Sequence, residues 1–263
     1  MKEQENPMLR IEAIGCIHTA FPQKFGLPRQ SGLVPGLTGE VHFFPKYRNA
    51  DALRGLSSFT HLWLLWQFTG FVREGSWCPT VRPPRLGGNK RIGVFATRSP
   101  NRPNPIGLSC VRLLRIEPST PEGPVLYVEG IDMQDGTLLL DIKPYLPYTD
   151  AHPEASGGFA ERVYGKALRV FIPKECSDRL PAQDRVILEE LLRQDPRPSY
   201  QEDPGRMYYL SYSGEEIGFT VEGDCLTVRT VAPSASRRGG ETAVKAEQPA
   251  GKADGRGKET SEE

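Results

Sequence analysis

Three carboxylates stand within ten residues of one another in "IDMQDGTLLLDIKPY": Asp132, Asp135 and Asp141. A carboxylate withdrawn from water can accept a proton from a reacting group, so each is a candidate catalytic base. Each also has a structural reading. Asp135-Gly136 is the dipeptide of a tight hairpin turn, and Asp141 precedes Lys143 closely enough for an ion pair. The residues alone choose no base among the three. A second constellation lies in "ATRSPNRPNPIGLS", residues 96–109, where Arg98 and Arg102 alternate with Asn101 and Asn104. Guanidinium and amide groups are forked donors suited to carboxylate and phosphate. Prolines at 100, 103 and 105 stiffen the backbone that carries them. The opposing reading is a stiff connector with solvated arginines, since proline also stabilises by restricting the unfolded chain. Against it stands the charge of the surroundings. From Arg82 to Arg115 there are eight Lys/Arg and no Asp or Glu.

The whole chain balances 33 basic against 33 acidic side chains over 263 residues. Polyanion binding must therefore be local to this segment. Residues 189–224 reverse the balance, with nine acids and three bases. No metal site is expected: His18, His42, His61 and His152 lack ligand spacing. The five cysteines (Cys16, Cys78, Cys110, Cys176, Cys225) show no CxxC and an odd count, which fits reduced thiols in a cytoplasmic protein. Cys110 reads as an inert strand thiol. The start "MKEQENPMLR" lacks the apolar run of a signal peptide. The most apolar stretch, "FTHLWLLWQFTGFV", is too short and too polar to span a bilayer. In that stretch His61, Trp63, Trp66 and Phe68 read as core. No GxGxxG follows an early strand and no acidic residue is placed to hold a ribose in the dinucleotide-fold manner, which argues against a Rossmann-type fold.

Short apolar runs position these groups. Seven strand candidates fall in the first half of the chain: 9–17, "VHFF" at 41–44, Thr60 to Phe68, "RIGVFATR", "IGLSCVRLLRIE", "PVLYVEGID" and "TLLLDIKPY". Gly/Pro-rich loops separate them and helix is nearly absent. The pattern predicts a mainly β fold, with a small seven-stranded barrel over residues 9–156 after a flexible N-terminus at 1–8. A small α+β domain is expected over 157–231. Its helix lies in "PAQDRVILEELLRQD", with Val186, Ile187, Leu191 and Leu192 as the apolar stripe. Prolines 196 and 198 stop it. Residues 232–263 are charged and Gly/Ala-rich and are expected to be a disordered tail.

"GVFATRSPNRPNPIGLS" resembles the signature of the TrmO family of S-adenosylmethionine-dependent tRNA methyltransferases, also called YaeB or TsaA-like. "QKFGLPRQSGLV", "FTHLWLLWQF", "WCPTVRPPRLGGN", "DGTLLLDIKPYLPY" and "LLRQDPRPSY" agree in the same order, so the resemblance covers about residues 9–231. It implies methylation of N6 of threonylcarbamoyladenosine, 3′ of the anticodon in threonine tRNA, by a cytoplasmic homodimer of barrels with the donor near the subunit interface. Donor contacts are implied at Pro28, Arg29 and Gln30, at Thr69 and Gly70, at Arg98 and Leu108, and at Met133, Gln134, Asp135, Gly136 and Thr137. Other members read "HQ" where this chain has Thr69-Gly70, so only a backbone contact would survive there. Arg29 and Arg98 are equal candidates for the donor's carboxylate. Contacts to tRNA are expected from Arg82, Arg85, Lys90, Arg91, Asn101, Arg102, Asn104, Lys143 and Tyr145. Within the proline-rich loop, Arg98 is expected to face the donor and Arg102 to project toward tRNA. Two other functions suit the same residues: a barrel that binds RNA without chemistry, and a methyltransferase for a small acceptor.

Overall fold

Alternation of buried and more exposed positions builds most strands in the first half of the molecule. In β3 (His61–Gln67) the chain buries Leu62, Leu64 and Trp66 and turns the residues between them outward. The same pattern recurs in β1 (Gly15–Thr19) and β2 (Thr38–Phe43). It holds at the starts of β6 (Ile106–Thr120) and β8 (Thr137–Pro144), while β7 (Gly123–Glu129) buries Pro124, Val125 and Leu126 in a row. A sheet with one apolar face closes on itself to remove its edges. The computed structural model, which describes residues 9–68, 70, 77–83, 86, 90–163, 167–197, 203 and 205–234, shows that closure. The barrel order is β1-β2-β7-β6-β3-β8, with every pair antiparallel.

Among the described residues the barrel has six strands, not the expected seven. The difference lies at "RIGVFATR". Only Ile92–Gly93 (β5) is extended, and it pairs outside the barrel with Thr80–Val81 (β4). Val94–Ala96 then coil into a 3-10 turn whose Val94 is buried. His61 also departs from expectation. It lies on the outer face of β3, where its Nδ1 meets the Thr60 hydroxyl at 2.9 Å.

After the barrel come two short helices, α1 (Pro147–Asp150) and α2 (Phe159–Val163). Asp150 of α1 accepts from the Trp63 indole at 2.9 Å and from the Leu146 N–H at 2.9 Å, which ties this stretch to β3. The C-terminal part is β-rich. Strands β10 (Tyr208–Tyr212), β11 (Glu215–Glu222) and β12 (Cys225–Pro233) form an antiparallel meander, and β9 (Arg169–Phe171) adds parallel to β12. Two helices accompany this sheet, α3 (Lys174–Ser177) and α4 (Ala182–Arg193). Helix α4 buries Ile187, Leu188, Leu191 and Leu192. Val186, expected in that stripe, is 65% exposed, and Leu188 takes its place. The register is rotated by one position because i, i+4 and i+3 spacing admits both stripes in "RVILEELL". Strand β12 runs through Pro233, and the Ser234 N–H bonds to the Gly214 carbonyl at 2.9 Å. Residues 235–263 of the expected tail lie outside the described residues, as do 1–8.

The long loop between β1 and β2 joins the two parts. Phe21, Val34 and Leu37 are buried in a core shared by barrel and C-terminal sheet. Phe21 packs on Tyr212 with ring centroids 5.3 Å apart, and Phe25 on Phe219 at 6.5 Å. Gly26 adopts φ +87°, and a side chain there would enter Leu210 of β10. Glycine is therefore required both for the backbone angle and for the close approach.

Candidate active site

The β1–β2 loop, the mouth of β3 and β6, and the segment before β8 enclose a cavity of about 660 Å³. That lies within the usual range for a bound small molecule, roughly 300–1,000 Å³. Its walls mix aromatic and aliphatic groups (Trp66, Phe68, Leu27, Ile106) with Lys24, Arg29, Arg98 and Arg102. A single carboxylate, Asp132, is among the lining residues.

Asp132 is held by a relay that begins in the barrel. Gly107 sits opposite Trp66 in the β3–β6 ladder, and a Cβ on Gly107 would run into the indole. The missing side chain lets the indole lie across the strand and point its Nε1–H at the buried Ser109 Oγ, 2.9 Å away. The Ser109 hydroxyl in turn donates to Asp132 Oδ1 at 2.6 Å. Burial pushes the Asp132 carboxyl up to about 6; the hydrogen bonds from Ser109 and the backbone and the Arg98 charge oppose that rise without cancelling it. Asp132 is thus largely ionised at neutral pH yet a stronger base than an ordinary carboxylate.

The other two candidate carboxylates are engaged elsewhere. Asp135 does not line the cavity. It accepts from the Thr19 N–H at 3.0 Å and faces His18 Nδ1 at 3.1 Å. The turn it shares with Gly136 is not a hairpin, because β7 and β8 are not neighbours in the barrel. Its amides bond instead to the Phe21 and Ile17 carbonyls, which pins the start of β8 to β1. Asp141 also lies away from the cavity, in an ion pair with Lys143 at 2.8 Å, and it caps the Ile142 N–H at 2.9 Å.

Of the expected donor contacts, Pro28, Arg29, Gln30, Arg98, Leu108, Met133, Gln134 and Thr137 all line the cavity. Four elements far apart in sequence are brought together there. Gly70, Asp135 and Gly136 are not among the lining residues, and Thr69 lies outside the described residues. The two arginines for a carboxylate differ in setting. Arg98 donates to the Gln30 side-chain oxygen. Arg29 Nη2 reaches the backbone carbonyls of Asp195 and Arg197, each at 3.3 Å, and so ties the cavity rim to the C-terminal part.

Of the expected tRNA contacts, Arg102 and Asn104 line the same cavity. Arg102 does not project: its guanidinium donates back to the Thr97 carbonyl at 3.2 Å. The proline-rich loop therefore turns both arginines toward one cavity. Asn101, Arg82, Lys90 and Arg91 are exposed outside it, and Arg85 lies outside the described residues. Lys143 and Tyr145 sit at the far end of β8, where Tyr145 packs against Trp63 with centroids 5.7 Å apart. The sequence reading missed Lys24, Leu27, Ile106, Gly107 and Ser109 as site residues, and it assigned Trp66 and Phe68 to the core alone; both pack there and line the cavity. Two signals pointed to the relay: a lone glycine inside an apolar strand marks a close approach, and Ser109 is a hydroxyl on the inward register of β6.

Known proteins resemble this chain in sequence and fold. Residues 16–151 match the family model of the tRNA-methyltransferase O N-terminal domain, and residues 162–234 match the TrmO C-terminal domain. A tRNA (adenine(37)-N6)-methyltransferase of Escherichia coli K12 is 43% identical over 207 residues, 76% of this chain and 87% of its own. One from Eikenella corrodens is 49% identical over 166 residues, 63% of this chain and 92% of its own. A crystal structure of TrmO from Pseudomonas aeruginosa superimposes with a TM-score of 0.70 at 33% identity, covering 88% of this chain and all of that one. With both family domains matched in order on one closed barrel and its C-terminal sheet, the chain belongs to the TrmO family of tRNA methyltransferases.

Proposed function

We propose that this protein is an S-adenosylmethionine-dependent methyltransferase acting on N6 of adenine 37 of tRNA, and that its acceptor is threonylcarbamoyladenosine in threonine tRNA. The observation that carries the reading is the cavity at the mouth of β3 and β6, which pairs cationic and aromatic walls with one half-buried carboxylate. Those residues fit the donor. Arg98 and Arg29 suit its carboxylate. Trp66, Phe68 and Leu27 offer apolar surface for the adenine, and Gln30 and Gln134 offer amides for polar edges. When bound, the donor supplies an electrophilic methyl group on a sulfonium.

The residues of this chain then have distinct tasks. The lining aromatics and the β1–β2 loop exclude water, which would compete for the methyl. The acceptor nitrogen bears a carbonyl substituent, so its lone pair is delocalised and it is a poor nucleophile. Asp132 Oδ takes the N6 proton as the new N–C bond forms, which keeps the nitrogen neutral in the product. Ser109 and Trp66 act as positioning residues, holding Asp132 Oδ1 through the Trp66–Ser109–Asp132 relay. Two copies of the chain pair in solution, and the enzyme works in the cytoplasm; among the described residues no helix is long and apolar enough to cross a membrane.

Calorimetry with S-adenosylmethionine and S-adenosylhomocysteine tests the donor assignment: a saturable signal is expected, and its absence leaves only an RNA-binding barrel. Salt dependence tests the acceptor. Affinity for tRNA through several phosphates falls steeply as salt rises. A salt-insensitive rate with a small acceptor and none with tRNA overturns the tRNA reading.

A further inference from the structure

The short β4–β5 ladder outside the barrel carries features the cavity does not use. Trp77 precedes β4 and Phe95 follows β5, so both emerge at one end of the ladder. Their rings lie 5.8 Å apart, tilted by 38°, and are 50% and 71% exposed. Large aromatic side chains normally bury most of their area, and here two remain side by side in solvent. The backbone under them is fixed. The Val94 N–H bonds to the Pro79 carbonyl at 2.9 Å, and buried Val94 anchors the turn that presents Phe95. At the opposite end of the ladder Arg82 and Arg91 leave the two strands side by side, with Lys90 next in sequence, and all three are exposed. None forms an ion pair among the described residues, and the sequence from 82 to 115 holds no acid. The platform also adjoins the cavity. The turn bearing Phe95 is closed by Thr97, whose hydroxyl donates to the Val94 carbonyl at 2.8 Å, and Thr97 and Arg98 are cavity wall.

We propose that Trp77 and Phe95 form a stacking platform for unpaired bases flanking the methylated adenosine, with Arg82, Lys90 and Arg91 holding the adjoining phosphates. Exposed aromatic faces beside unpaired cations are the arrangement that recognises single-stranded nucleic acid: bases stack, and the backbone follows the charge. A target base must leave its stack to enter a cavity, and a platform at the rim replaces the stacking its neighbours lose. The charge decides against a protein partner, since an apolar interface core is depleted in charged residues.

This inference rests on the tRNA reading above, and the test separates the two. Trp77→Ala, Phe95→Ala and Trp77→Phe are made in the full chain. Affinity is measured by fluorescence anisotropy for a 5′-labelled anticodon stem-loop oligoribonucleotide and for a loopless RNA duplex, at two salt concentrations. Donor affinity by calorimetry and melting temperature control for folding. Each alanine variant is expected to bind the stem-loop about 5- to 150-fold more weakly, the range for loss of one base stack. The salt slope, the duplex affinity and the donor affinity are expected to hold, and Trp77→Phe to retain most of the stem-loop affinity. Stem-loop affinity unchanged in both alanine variants overturns the platform. Unchanged RNA affinity with an altered sedimentation coefficient assigns the patch to contact between protein chains. If the wild-type chain binds the donor but no RNA, the tRNA reading itself fails and the platform with it.

Discussion

Asp132 is the residue on which the proposed chemistry turns, and its raised pKa gives it a signature. Its carboxyl titrates near 6 because the fold withdraws it from water. In the free enzyme kcat/KM is expected to rise with pH through an apparent pKa near 6 and then level off. Asp132→Asn is expected to lose about 10²- to 10⁴-fold in kcat, the usual worth of a positioned base, and to flatten that limb. Stability carries the opposite sign. A raised carboxyl favours the protonated fold, so its contribution is fully present below the unfolded value near 4. That contribution is lost as pH rises through about 6. Denaturant midpoints at pH 4.5 and 7.5 check this: the wild type is expected to lose relative to Asp132→Asn by at most about 3 kcal/mol. A midpoint difference that does not change with pH contradicts the buried-acid account. Arg98 belongs to the same scale. Arg98→Ala is expected to weaken donor binding by about 1.5–3 kcal/mol, the range for a hydrogen bond to a charged group. Because Arg102 lines the same cavity, Arg102→Ala is expected to weaken the donor as well. Calorimetry on both variants measures it, and donor affinity unchanged in Arg102→Ala would restore a separation of duties.

At the scale of elements, the β3–β6 ladder makes the site possible. Trp66 faces a glycine across the ladder, and the indole uses that gap to reach Ser109. Gly107→Ala is expected to displace the indole, cost about 1–3 kcal/mol as an overpacked core does, and lower activity through Asp132. Thermal melts and kcat together test it; a stable variant with lowered kcat would show that the relay matters beyond packing. Much of this element was legible in sequence. The alternation in "HLWLLWQ" and "IGLSCVRLL" set the strands and their inward faces. The proline-rich loop read as a binding element because its composition is rigid and basic. What could not be read was closure. Strand order depends on pairings between segments far apart in sequence, and "RIGVFATR" looked like a barrel strand because Ile92 and Val94 alternate. Its ladder with β4 and the 3-10 turn at Val94 depend on tertiary contacts that no local pattern encodes. The choice among three aspartates was equally hidden, because burial of Asp132 and the ion pair of Asp141 exist only after folding.

The whole molecule couples two matched domains through one loop. Residues 20–37 leave the barrel, pack Phe21 and Phe25 on the C-terminal sheet, and return carrying Pro28, Arg29 and Gln30 to the cavity rim. The C-terminal part thus shapes the rim of the cavity from outside the barrel. The central claim is methyl transfer to N6 of adenine 37, and mass spectrometry of anticodon-loop nucleosides tests it most directly. Threonine tRNA from cells lacking this protein is incubated with the purified full chain and S-adenosylmethionine, then digested and compared with an Asp132→Asn reaction. The account predicts that the wild-type chain shifts threonylcarbamoyladenosine by the mass of one methyl group, and that the variant leaves it nearly unshifted. An unshifted nucleoside with the wild-type chain, or a methyl found on another residue of the loop, contradicts it.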